Sequence, residues 1–215
     1  MKYIDPDGRQ VFPVHGTWAN IKKDWTKSGM DGVHRGTCAA FNDDMRVGKD
    51  FSWKPARNNQ DRRVNAANEL IAHIKEQRTA AIDAGTIDAS EPITVVGHSH
   101  GGNVAILAIN QMIESGEFEG VQINLLTLNT PVRTDCQLSD KAKQSGVSHV
   151  NVYNDKDPVQ YIGSLSKGTG EKGKILRTFE GATNIQDTRT GGIFKRHQSN
   201  NNYENWVRQL EGEGL

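Results

Sequence analysis

The chain has 215 residues, and its 26 lysine and arginine residues are balanced by 26 aspartate and glutamate residues. This balance argues against a nucleic-acid-binding protein, because such proteins normally carry a basic excess. The mean hydropathy is −0.66, and no stretch approaches the roughly 18 apolar residues that cross a membrane, so we expect peripheral membrane contact at most. The length suits one domain with a full hydrophobic core.

The start of the chain has no apolar h-region, so no signal peptide is predicted. The two cysteines, Cys38 and Cys136, lie far apart in sequence, and both a disulfide and two free thiols stay open. The sequence contains no C-x-x-C pattern, and we expect neither a metal nor a cofactor.

Five apolar or β-branched runs predict strands along the chain. A run of this kind without a polar face suits a strand that is covered on both sides in a parallel sheet. The predicted strands are residues 11–14, 93–96, 121–128, 149–153 and 183–188, with residues 51–53 as a short additional candidate.

Helices are predicted between these strands. In residues 61–78 apolar side chains recur at helical spacing, which indicates an amphipathic helix. A second helix follows Gly102, a third closes the chain at residues 203–210, and the glycine-rich residues 163–173 are expected to form a surface loop. Strand–helix alternation predicts an α/β fold: a mostly parallel sheet of about six strands with helices on both faces.

The most informative motif is the segment 97–101, Gly97-His98-Ser99-His100-Gly101, which matches G-x-S-x-G. A buried strand is predicted directly before it and a helix directly after it, the context in which this motif presents a nucleophilic serine. Gly97 and Gly101 permit the sharp turn, and the N–H groups at the start of the helix can stabilise an oxyanion. The motif predicts Ser99 as a nucleophile.

This segment, with Thr94-Val95-Val96 before it and Gly102 after it, resembles the nucleophile elbow of lipases and esterases of the α/β-hydrolase family. The resemblance covers residues 11–210. It implies a reduced α/β-hydrolase fold and a serine ester hydrolase that works through a Ser-His-Asp triad and an acyl-enzyme. His100 occupies a position where leucine or methionine is common in this family.

Chain order in this family places the base last, after the nucleophile and the acid. His197 is the histidine that follows the last predicted strand, and residues 197–203 with Trp206 resemble the catalytic-histidine loop of fungal-type lipases. His98 and His100 flank the nucleophile, but neighbours on a tight turn are expected to point away from the serine side chain. His197 is therefore the predicted base.

The acid is expected after a strand between Ser99 and His197. Asn154, Asp157 and Val159 match the N-x-x-D-x-V loop of the resembling lipases, which makes Asp157 the predicted acid. Its role would be to hold the histidine tautomer and offset the imidazolium charge. Asp155 and, less favoured, Asp135 stay open as alternatives.

The oxyanion hole of this fold combines the N–H after the nucleophile with one from a loop after an early strand. The first donor is predicted to be the His100 N–H. The early segment His15-Gly16-Thr17 resembles the His-Gly-x oxyanion loop of lipases, which assigns the second donor to Thr17.

Residues 3–9 are similar to the Asp-Pro-x-Gly stretch that ends the core of Rhs-type polymorphic toxins, although the same residues also suit an ordinary turn. The resemblance implies that residues 1–10 are the end of an Rhs core and residues 11–215 the α/β-hydrolase domain. It further implies a type VI secretion effector, made in the bacterial cytoplasm and delivered to a target cell's periplasm. Its substrate would be membrane phospholipid, and an immunity protein would be its partner.

The motifs leave the acyl substrate open. A soluble ester, a thioester or an amide competes with a phospholipid, and residues 22–49 and 163–173 are candidate covers over the site. Two rival hypotheses are a catalytically silent binding module of the same fold and a metal hydrolase that uses His98 and His100.

Overall fold

The computed structural model describes residues 10–16, 37–38, 40–41, 46–47, 51–53, 59–160, 176–188 and 197. Five sequence predictions lie wholly or largely outside these residues: residues 1–9, the oxyanion donor Thr17, the candidate cover at 22–49, the loop at 163–173 and the helix at 203–210.

The described strands form one six-stranded sheet in the order β2-β1-β3-β4-β5-β6, and each neighbouring pair is parallel. The predicted parallel sheet of about six strands is confirmed. The strands are β1 (Gln10–Val14), β2 (Arg46–Val47), β3 (Ile93–His98), β4 (Ile123–Leu128), β5 (Ser148–Tyr153) and β6 (Thr183–Gln186).

The predicted strand at 51–53 is wrong as a strand. Phe51 forms an isolated parallel bridge with Val14, while Ser52 and Trp53 are irregular. Trp53 instead turns its indole back to the end of β1, where its Nε1–H donates to the His15 carbonyl at 2.8 Å. The apolar character of this segment therefore reflects burial beside β1.

Three described helices cover one face of the sheet: α1 (Gln60–Asp83), α2 (His100–Ser115) and α3 (Asp140–Gln144). α1 begins after Asn59, whose side chain accepts a hydrogen bond from the Arg62 N–H at 3.0 Å, a standard N-terminal cap. α1 extends beyond the predicted residues 61–78, because alanine-rich sequence continues as far as Gly85, where φ is +63°. Its apolar stripe packs with α2 and the sheet in the larger core.

The second face of the sheet carries a smaller apolar cluster built from alternate residues of the same strands, among them Val96, Leu126 and Val152. Cys38, Ala40 and Phe41 pack against it, and residues 37, 38 and 40 are helical. Helical residues therefore lie on both faces, as predicted.

Because the strands are parallel, their carboxyl ends meet at one edge of the sheet. His15 and Gly16 follow β1, Ser99 follows β3, Asn129 follows β4, and Asp157 lies four residues after the last residue of β5. Residues that are far apart in the sequence are thus brought to one edge, where the candidate site is found.

Candidate active site

Ser99 lies in the turn between β3 and α2 with a backbone conformation of φ 55° and ψ −132°. A positive φ is uncommon for a residue with a side chain and costs on the order of 1–3 kcal/mol, so the surrounding structure must hold it. The Ser99 N–H donates to the Leu128 carbonyl at 2.9 Å, and the Gly102 N–H donates to the Ser99 carbonyl at 3.1 Å. These bonds tie the turn to β4 on one side and to α2 on the other.

The glycines of the motif are required by close approach of backbone. A Cβ on Gly97 would lie 2.3 Å from the Gly102 Cα, and a Cβ on Gly101 would lie 2.2 Å from the Val14 carbonyl oxygen. No side chain fits at either position without moving main chain. The tight packing of α2 against the ends of β1 and β3 explains why both flanks of the turn are glycine.

The structure brings the three predicted side chains together. His197 Nε2 lies 3.0 Å from Ser99 Oγ, and His197 Nδ1 lies 2.7 Å from Asp157 Oδ2. A carboxylate only accepts hydrogen bonds, so the Nδ1 carries the proton and the Nε2 is left to accept from the serine hydroxyl. This is the protonation pattern that a serine nucleophile and its base need.

Asp157 is fully buried, and its second oxygen is also bonded. Oδ1 accepts from the Val159 N–H at 2.9 Å and from the Gln160 N–H at 3.3 Å, at the start of a short helical turn. These backbone donors hold the carboxylate in place while Oδ2 faces His197. The Arg177 guanidinium donates to the Asp157 carbonyl at 3.0 Å and supports the same loop.

The two alternative acids lie elsewhere. Asp155 is exposed and accepts from the Gln186 amide at 2.6 Å. Asp135 lies between Arg63, at 2.7 Å, and Arg133, at 2.8 Å. The structure therefore places Asp157, and neither alternative, beside His197.

Gly16, which follows β1, lies close to the Ser99 side chain. A Cβ on Gly16 would lie 2.7 Å from the Ser99 Cβ and 3.2 Å from the Ser99 Oγ. The Trp53 N–H donates to His15 Nε2 at 3.3 Å, so His15 Nδ1 carries the ring proton and donates to the Gly16 carbonyl at 2.9 Å. The predicted donor Thr17 follows directly in the sequence, outside the described residues.

The His100 N–H belongs to the first turn of α2, where N–H groups have no partner within the helix and the helix dipole favours negative charge. The His100 ring accepts from the Asn103 amide at 3.4 Å. Loss of hydration, with the charges of Arg63 and Arg133, lowers the His100 pKa to about 3. The ring is therefore neutral at neutral pH.

The His98 ring lies against the His197 ring, with centroids 5.0 Å apart. Loss of hydration and the neighbouring His197 lower the His98 pKa to about 4. Among the described residues no group of three or more His, Cys, Asp or Glu side chains could hold a metal ion.

The groups that surround Ser99, His197 and Asp157 were not predicted from the sequence. Asn129, with φ 46°, donates from its amide to the His197 carbonyl at 3.2 Å. Gln160 donates to the Thr130 carbonyl at 3.0 Å, and Trp53 supports His15. The position of Asn129 directly after a buried strand was the one available signal, because the carboxyl ends of neighbouring strands share an edge.

The structure also bears on the pairing of the two cysteines and on membrane-spanning helices. Cys38 and Cys136 are free thiols, and burial raises the pKa of Cys136 to about 11. Within the described ranges, no helix is long and apolar enough to cross a membrane.

A model of the lipase (class 3) family matches residues 14–165 of this chain. No curated protein sequence matches the chain significantly.

Three solved structures illustrate the likeness of fold. A lipase-esterase related protein from Clostridium acetobutylicum has a TM-score of 0.50 at 10% identity, with 96% of this chain and 94% of that chain covered. A fungal esterase from Rhizomucor miehei has a TM-score of 0.54 at 12% identity, with 98% and 76% covered. A thermostable carboxylesterase cloned from a metagenomic library has a TM-score of 0.54 at 12% identity, with 97% and 80% covered. The predicted reduced α/β-hydrolase fold is confirmed.

Proposed function

The chain belongs to the lipase (class 3) family, and from this premise we propose that it hydrolyses carboxylic esters with Ser99 as the nucleophile, His197 as the base and Asp157 as the acid. The single observation that carries the proposal is the hydrogen-bond chain from Asp157 through His197 to Ser99, with distances of 2.7 and 3.0 Å.

The proposed reaction has two stages. His197 Nε2 takes the proton from Ser99 Oγ as the oxygen attacks the ester carbonyl carbon, and the carbonyl oxygen becomes an oxyanion. His197 then protonates the leaving alkoxide, the carbon–oxygen bond breaks, and an acyl-Ser99 ester is left. Water, deprotonated by His197, attacks this ester; His197 then returns the proton to Ser99 Oγ as the bond to the acyl carbon breaks, and the carboxylic acid is released.

Two backbone N–H groups are proposed to stabilise the oxyanion. One is the His100 N–H at the start of α2, and the other is the N–H of Thr17. The approach of Gly16 to the Ser99 side chain supports this assignment, because it brings the early loop to the nucleophile.

We further propose that the ester is a membrane phospholipid and that the chain acts as an antibacterial toxin in the periplasm of a target cell. Family membership supports a lipid ester, and the similarity of residues 3–9 to the end of an Rhs core supports the toxin role. An immunity protein that covers the Ser99 site would protect the producing cell. Residues 1–10 are then the remnant of the Rhs core and residues 11–215 the hydrolase domain.

Product analysis with phospholipid vesicles tests the substrate. We expect free fatty acid and lysophospholipid from vesicles mixed with the wild-type chain, and neither product with Ser99→Ala. A short-chain soluble ester is assayed beside the vesicles. Hydrolysis of the soluble ester alone would replace the phospholipid proposal with a soluble esterase, and hydrolysis of neither would contradict the ester hydrolase.

A further inference from the structure

We propose that His98 and Asn129 are positioning residues that hold the base through the backbone carbonyl of His197. The proposal rests on the proposed function, since it concerns the base of that reaction. Both side chains bond to the His197 carbonyl oxygen, so both would act through His197.

Two donors converge on one oxygen. His98 Nε2 lies 2.8 Å from the His197 carbonyl oxygen, and Asn129 Nδ2 lies 3.2 Å from the same atom. A carbonyl oxygen only accepts, so the Nε2 of His98 must carry its ring proton. The His197 carbonyl oxygen, which has two lone pairs, thus accepts from two side chains of other parts of the chain.

The two donors lie at the carboxyl ends of the neighbouring strands β3 and β4. His98 is the last residue of β3 and directly precedes Ser99. Asn129 directly follows β4, is fully buried, and donates its own N–H to the Val152 carbonyl of β5 at 2.8 Å. The strand ends that fix the nucleophile therefore also fix the base.

His197 depends on such contacts, because it lies far from these strands in sequence: 99 residues separate it from His98 and 68 from Asn129. Asp157 holds only one ring nitrogen, which orients the imidazole but leaves the main chain to be fixed by other groups. A donor pair on the carbonyl fixes the main chain from which the side chain extends. Misplacement of a reacting group by about 1 Å can cost on the order of 10²-fold in rate.

Neither His98 nor Asn129 adds a charge beside His197. Loss of hydration and the proximity of His197 keep the His98 pKa at about 4, so the ring donates as a neutral group at neutral pH. A lysine or arginine in its place could donate the same bond, but its charge would oppose the imidazolium that forms on His197 during the reaction.

The test compares two replacements of His98. His98→Leu removes the donor and keeps apolar bulk, whereas His98→Gln places an amide N–H near the position of Nε2. We expect His98→Leu to lower kcat by roughly 10- to 100-fold with KM changed less than about twofold, and His98→Gln to recover most of this loss. Asn129→Gly, which keeps the positive φ, should lower kcat in the same way. His73→Leu, on α1 and outside the site, is the matched control and should leave kcat within about twofold of wild type.

A second readout needs no substrate. The His197 Nδ1–H, hydrogen-bonded to Asp157, should give a downfield proton NMR resonance in wild type and His98→Gln that is broadened or lost in His98→Leu. Equal loss of kcat in the Leu and Gln variants would contradict the proposed positioning role of His98. Wild-type kcat together with an unchanged resonance in folded His98→Leu would contradict it as well. If the wild-type chain hydrolyses no ester, the proposed function fails, and the resonance still decides whether His98 holds His197.

Discussion

Among single residues, Ser99 combines a strained backbone with close packing, and both result from the sharp turn between β3 and α2. The turn places a residue with φ 55° between two backbones, and Gly97, Gly101 and Gly16 allow those backbones to approach. Ser99 Oγ thereby lies 3.0 Å from Nε2 of His197, the proposed base. Preorganisation of this kind is what a nucleophile needs, because reorientation would otherwise add to the barrier.

Substitutions at Asp157 and Asp155 distinguish which of the two aspartates acts as the acid. Asp157→Asn keeps the shape of the side chain but lets the amide donate, which favours the wrong His197 tautomer. We expect kcat to fall by roughly 10³- to 10⁴-fold. Asp155→Asn is the matched control: its carboxylate is exposed and faces Gln186, so ester hydrolysis should stay near the wild-type rate. The reverse pattern in steady-state kinetics would assign the acid to Asp155.

Gly16→Ala tests the early loop. The added Cβ would lie 2.7 Å from the Ser99 Cβ, so the loop must move away from the nucleophile. Loss of one oxyanion donor typically costs about 10²- to 10³-fold, and we expect kcat to fall by roughly 10²-fold.

The control for this variant is Gly116→Asn, a change at the end of α2. Gly116 has φ +71° with no atom within 4 Å of an added Cβ, and asparagine tolerates that conformation. It should be as active as wild type in the same assay. A fully active Gly16→Ala variant would separate this loop from catalysis.

Among the secondary-structure elements, β4 and β5 are linked by hydrogen bonds between buried polar side chains. The Thr127 hydroxyl donates to Asn151 Oδ1 at 2.9 Å, so it accepts from His149 Nε2, also at 2.9 Å. His149 is 5% exposed, and loss of hydration lowers its pKa to about 3. The strand therefore buries a histidine that stays neutral far below the pH at which the unfolded chain takes up a proton.

This depressed pKa makes stability depend on pH. The stabilisation from neutral His149 is present above its unfolded pKa of about 6.5 and is lost as pH falls toward about 3. Between pH 6 and 4 the unfolded state holds about one extra proton at this position, so the free energy of unfolding should fall by about 1.4 kcal/mol per pH unit from this group.

His149→Gln is the variant that measures this contribution. Its amide N–H can still donate to Thr127, but it does not titrate. Urea unfolding at several pH values should show a slope between pH 6 and 4 that is smaller in the variant by about that amount. Equal slopes in the two proteins would mean that His149 does not carry this pH dependence.

The elements themselves were largely predictable, because each pattern is local. The β-branched run before Ser99 and the helical spacing in residues 61–78 both identified the correct element. Residues 51–53 failed because their burial comes from a tertiary contact: Trp53 packs on His15, with ring centroids 6.0 Å apart. Local pattern cannot distinguish a short buried strand from an irregular segment that is buried beside one.

At the scale of the whole molecule, the parallel sheet is what assembles the site. Ser99, His197 and Asp157 could be chosen from motif and chain order. Their supporting groups could not, because the contacts of Asn129 and His98 with the His197 carbonyl join strand ends to a residue that is distant in the sequence. The ion pairs of Asp135 with Arg63 and Arg133 likewise depend on tertiary structure, and they place this alternative acid away from His197.

Covalent labelling with a fluorophosphonate, followed by intact mass and peptide mapping, tests most directly whether Ser99 is the nucleophile. We expect one adduct on Ser99 in the wild-type chain, none in Ser99→Ala, and greatly slowed labelling in Asp157→Asn. If a folded wild-type chain forms no adduct, or forms it on a residue other than Ser99, then Ser99 is not the nucleophile.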